Sequence, residues 1–131
     1  MKNVIVAYDR TKWNAVPANN GGNGSTWQWG NELLVGFSQG EAAFDVAGHQ
    51  TNNDRPFLSF LARSLDGGVT WQVHEPDNYI DGESLRQVKA TRLPRGIDFN
   101  SPGFVMRVEG HGYHGNSSQQ WFYSLDKGAS W

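Results

Sequence analysis

Two histidines, His111 and His114 in the segment GHGYH, stand three residues apart, a spacing at which two imidazoles can share a metal ion. No carboxylate cluster lies beside them, and the chain has no cysteine to supply a thiolate ligand, so neither a metal nor another cofactor is expected. The glycines of Asn19-Asn20-Gly21-Gly22-Asn23-Gly24 could cradle a phosphate. They lack the lysine and hydroxyl residue that complete a phosphate loop, and no helix follows, so they read as a flexible loop. Arg107, in FVMRVEG, is a candidate to grip an anionic ligand; Glu109, two residues on along the same strand face, is the competing partner. Trp13, Trp27, Trp29 and Trp121 are large enough to stack on sugar rings, but aromatic residues in strands pack into cores by default.

The strongest pattern is a repeat. Ser64-Leu65-Asp66-Gly67-Gly68-Val69-Thr70-Trp71 returns sixty positions later as Ser124-Leu125-Asp126-Lys127-Gly128-Ala129-Ser130-Trp131. Both copies read S-x-D-x-G-x-[ST]-W. The chemistry is that of a self-bonded turn and not of a reactive site. A short carboxylate can accept backbone N–H bonds two or three residues on, and the glycine is free to take positive φ. The hydroxyls tie the ends together, and the closing tryptophan opens the next strand with a large buried ring. One supersecondary unit used twice at this spacing points to propeller blades or a related array.

The elements around the repeat are short strands. Residues 3–8 (NVIVAY) read as a strand, 12–26 as a loop, 27–29 and 32–37 as strands about a Gly30-Asn31 turn, and 57–62 and 70–74 as strands flanking the first octapeptide. Residues 76–96 are polar and irregular. Residues 104–108 and 119–124 are strands of a second unit, which stops at its octapeptide. No window has sustained helical periodicity. Sixteen glycines and six tryptophans in 131 residues suit many tight turns between strands. A net charge of −2 with no basic stripe argues against a nucleic-acid partner. No apolar run reaches the ~20 residues of a membrane span, and residues 4–7 are too short for a signal-peptide core.

The octapeptides resemble the Asp box, or bacterial neuraminidase repeat, of the sialidase family. Ser64, Asp66, Gly68, Thr70 and Trp71 match it position by position, and Ser130 is a mild variant in the second copy. The resemblance implies an all-β fold: a partial sialidase-like six-bladed β-propeller, about two blades of four-stranded antiparallel sheet. Each box would join the third and fourth strands of its blade, away from the active site. On this reading 1–10 is a strand of a closing blade, 11–76 the first blade with its box at 64–71, and 77–131 an incomplete second blade with its box at 124–131. A propeller needs ~4–8 blades, so the chain reads as an N-terminal fragment, with missing blades or self-association needed to complete the fold.

The resemblance also implies an activity. Sialidases remove a terminal sialic acid with three carboxylate-gripping arginines, an aspartate general acid and a glutamate-activated tyrosine nucleophile. The family's acid lies on the loop ahead of the strand that leads into the first box, here AGHQTNNDRP at 47–56. Asp54 is therefore the candidate acid and Asp45 the second choice. Arg55, Arg10, His49 and Arg107 are the candidate substrate-binding residues. The family's first arginine precedes a proline, whereas 14–18 here read NAVPA without one; Arg10 and Lys12 stand nearby. The implied function is exo-glycosidase action on a terminal acidic sugar, with this chain alone inactive. The alternative is a non-catalytic Asp-box propeller that binds carbohydrate or protein. An extracellular or periplasmic location accompanies the resemblance.

Overall fold

The computed structural model describes residues 3–15, 26–45, 47, 50, 52, 54–55, 58–75, 92–111 and 118–131. They form seven strands and no helix: β1 (Lys12–Ala15), β2 (Thr26–Trp29), β3 (Glu32–Glu41), β4 (Leu58–Ser64), β5 (Gln72–His74), β6 (Val105–His111) and β7 (Ser118–Ser124). The protein is all-β, with two antiparallel sheets. In the first, β4 runs along one edge of β3 while β2 and β1 share the other, β2 against Glu32–Val35 and β1 against Ser38–Glu41. β5 closes the far side against β4. The second sheet is the β6–β7 pair.

Local chemistry explains most of these elements. β2 and β3 meet at Gly30, whose φ of +62° suits the turn that the sequence marks at Gly30-Asn31. Residues 3–8, expected as a strand, are in none. Both edges of β3 are already occupied, so the β-branched run finds no ladder there for its N–H and C=O groups, and Ile5 and Tyr8 are exposed. The strand lies instead at Lys12–Ala15, within the expected loop. Asp9 prepares it by accepting bonds from the Thr11 N–H (2.8 Å) and hydroxyl (2.7 Å), which turns the chain onto the edge of β3.

Both octapeptides fold as the same turn. In the first, the Ser64 hydroxyl donates to Asp66 Oδ1 (2.8 Å) and accepts from the Gly68 N–H (2.8 Å). Asp66 also accepts the N–H groups of Val69 (3.0 Å) and Thr70 (2.9 Å) and the Thr70 hydroxyl (2.6 Å). In the second, Ser124 donates to Asp126 (2.5 Å) and accepts from Gly128 (2.8 Å), while Ser130 gives Asp126 its N–H (2.9 Å) and hydroxyl (2.5 Å). Positions four and five have φ of +73° and +90° in one copy and +58° and +82° in the other. With the Ala129 N–H donating to the Asp126 carbonyl (3.2 Å), these are the features of a type I′ reversal. The first turn joins β4 to β5, the third and fourth strands across the sheet.

The two sheets face each other across a small core of Leu34, Leu61 and Val105, each 0% exposed, with Trp27, Trp29 and Trp131 packed around it. The second box is fastened to the first sheet. Glu32 binds both Arg63 and Lys127 Nζ (2.6 Å); Arg63 Nη2 donates to the Lys127 carbonyl (2.7 Å); Lys127 Nζ lies 5.2 Å from the centre of the Trp29 ring. Trp29 Nε1 donates to the Pro102 carbonyl (2.7 Å).

These bonds predict acid sensitivity. The Thr70 hydroxyl and N–H, with the Ser64 hydroxyl, hold Asp66 well below its ordinary range, and Ser124 and Ser130 hold Asp126 at about 2. The Lys127 bond holds Glu32 low as well. A depressed folded-state pKa means that the unfolded chain binds more protons on acidification. The contribution is therefore complete above the unfolded pKa and is lost as pH falls through the folded one. The melting temperature should be level down to about pH 5 and fall steeply below about pH 4, and D126N should flatten part of that fall. A melting temperature unchanged between neutrality and about pH 3 would contradict the role given to these carboxylates.

Candidate functional site

β3 runs ten residues, beyond the expected end at residue 37, because β1 pairs with its last four. The first box sits beside Leu33, the partner of Ser64, and Glu41 lies at the other end, about 26 Å away at strand rise. At that far end the chain leaves β3 and is tied back to it. The Ala42 N–H donates to the Thr11 carbonyl (3.1 Å), Ala43 to Gln50 (2.8 Å) and Asn52 to Glu41 (2.9 Å). The Asn52 side chain and carbonyl then accept the N–H groups of Asp54 (3.0 Å) and Arg55 (3.2 Å), placing both residues beside the end of the strand.

An open groove of about 650 Å³ lies here, lined by Arg10, Thr11, Lys12, Glu41, Ala42 and Phe44. Arg55 Nε reaches Glu41 at 3.7 Å, with the Arg55 side chain 66% exposed. An exposed pair of this length is worth about 0–1 kcal/mol, so it does not lock the guanidinium in place. Phe44, 67% exposed, offers an apolar ring beside the charges. The groove can bind an anion through the Arg10 guanidinium and the Lys12 ammonium and pack a flat apolar face, such as that of a sugar, on the Phe44 ring.

Of the sequence candidates, Arg10 lines the groove, while Asp54 and Arg55 lie on the loop tied to the same end of β3, Arg55 reaching Glu41. Asp54 and Asp45 are both exposed. His49 lies outside the described residues, as does His114, and the side chains of Trp13, Glu109 and His111 are not described. Arg107 is elsewhere. It is 3% exposed between the two sheets, packed over Gly36, with Nη1 3.4 Å from the Phe60 carbonyl. Among the described residues no group of three or more metal-ligating side chains exists, and no helix is long and apolar enough to cross a membrane.

Glu41 and Phe44 were not singled out from the sequence. Extending the strand through Ser38-Gln39-Gly40-Glu41 would have placed Glu41 at its end, but that stretch has little β propensity of its own and is a strand only because β1 and β4 pair with it. No family model, curated protein or solved structure matches the chain.

Proposed function

We propose that the chain forms blades of a sialidase-like exo-glycosidase that removes a terminal acidic sugar from glycans. The observation that carries this reading is the placement of the two ends of the first sheet. The Asp box occupies one end; at the other, Arg10 lines an open groove, Arg55 reaches the groove's Glu41, and Asp54 is the residue before Arg55. The resemblance places box and substrate on opposite sides in the same way. Asp54 is the proton donor to the leaving oxygen, and Arg10 and Arg55 hold the sugar carboxylate by charge-assisted bonds. Phe44 packs against the ring face. The nucleophile and remaining arginines belong to further blades.

A non-catalytic carbohydrate-binding propeller is the second reading. The absence of an arginine in the NAVPA stretch and the pairing of Arg55 with Glu41 favour it. Both readings place an acidic sugar in the groove, and a single titration tests that. Sialyllactose should shift the backbone amide resonances of Arg10, Thr11, Ala42, Phe44 and Arg55, lactose should not, and Arg55→Ala should weaken binding about tenfold. Equal shifts with the neutral sugar, or none with either, would remove the groove from consideration. Binding without turnover in a protein that also carries the remaining blades would select the second reading.

A further inference from the structure

Register measured from the two boxes shows that the sheets meet through unlike faces. Ser64 pairs with Leu33 and Ser124 with Val105, so Leu33 corresponds to Val105, Leu34 to Met106, Leu61 to Trp121 and Arg63 to Tyr123. In the first sheet the covered face is that of Leu34 and Leu61, both 0% exposed. What covers it is the Val105 and Arg107 face of the second sheet, together with the Gly128 turn. Val105 is the counterpart of Leu33, which lies on the opposite face of the repeat from Leu34. The contact is therefore heterologous, and such a contact leaves one face of each kind unmatched.

In the second sheet the unmatched face is the counterpart of the buried one. Met106 and Tyr123 are cross-strand partners, and Trp121 shares their face two residues along β7. Trp121 is 67% exposed where its counterpart Leu61 is 0% exposed. Phe104, two residues before Met106, continues the alternation, with Phe99 (62% exposed) edge-on to it at 5.2 Å. A contiguous aromatic face of this kind marks an interaction surface. In the first sheet the opposite face carries half-buried Leu33 and Val35, with Val73 (44% exposed) beside the buried Ala62, and Phe37, 6% exposed, farther along β3.

We propose that the Met106–Trp121–Tyr123 face docks a second copy of this chain, head to tail, through that copy's Leu33–Val35–Val73 face. The interface repeats the one inside the chain: the Gly68 turn of the second copy lies over Met106 and Trp121 as Gly128 lies over Leu34 and Leu61. Each copy added presents a new aromatic face, so association continues into an array or closes as a ring.

Sedimentation velocity across a wide concentration range tests this. The wild-type chain should associate reversibly, and Trp121→Glu should weaken self-association about 100-fold. Phe99→Glu, at the rim, should act in the same direction, and both side chains are exposed enough to leave the melting curve intact. Mixing decides the geometry. Trp121→Glu keeps its Leu33–Val35–Val73 face, so in excess it should cap wild-type copies as discrete heterodimers. A wild-type monomer at all concentrations, association that survives Trp121→Glu, or mixtures that form no heterodimer would each overturn the proposal. The first of these outcomes would leave the face to some other occupant, and the last would show an interface joining like faces.

Discussion

Alanine at position 128 is expected to lower the unfolding free energy by about 2–5 kcal/mol, enough to unfold a marginal domain. Two costs add. Gly128 has φ of +82°, where an L side chain is disfavoured by about 1–2 kcal/mol. A Cβ there would also stand 2.9 Å from Leu34 Cδ2 and 3.4 Å from the Trp131 ring, in the buried contact between the sheets. Overpacking of that kind costs about 1–3 kcal/mol. Gly30 separates the two terms, since its φ is +62° but nothing lies within 4 Å of its Cβ position. Gly30→Ala should therefore show the conformational cost alone, about 1–2 kcal/mol in urea unfolding. Equal losses for the two variants would mean that the second box does not pack on the first sheet as described.

On the glycosidase reading, Asp54→Asn in a protein carrying the remaining blades should reduce kcat for a natural glycoside about 10²–10⁴-fold, the usual worth of general acid catalysis. Asparagine cannot donate a proton to the leaving oxygen but keeps the size of the side chain. Asp54 is exposed and its N–H is anchored by Asn52 Oδ1, so the substitution leaves the loop intact. The loss should be much smaller for an aryl glycoside, whose leaving group departs as a stable anion. Binding measured as KM should change little. Equal slowing of both substrates, or none, would make Asp54 an ordinary loop residue and Asp45 the next to test.

The boxes and most strands were legible because their determinants are local. The side-chain bonds that shape the first turn, from the Ser64 hydroxyl to the Thr70 N–H, lie within four residues of Asp66, and the same residue types recur at Asp126. Strand β2, the start of β3, β4 and β7 follow from alternation and from the Gly30-Asn31 turn. What depends on a distant partner was not legible. Whether 3–8 or Lys12–Ala15 became a strand was decided by which segment reached the free edge of β3. That pairing lengthened β3, which placed Glu41 beside Arg55 and opened the groove next to Arg10. Arg107, a candidate anion-binding residue in the sequence, is buried over Gly36 because the second sheet turns its Val105 face inward. Turn chemistry is written in neighbouring residues, so the sequence alone determined the boxes. Edge occupancy and face-to-face packing depend on long-range burial and backbone pairing, so only the tertiary structure decided the groove and the contact between the sheets.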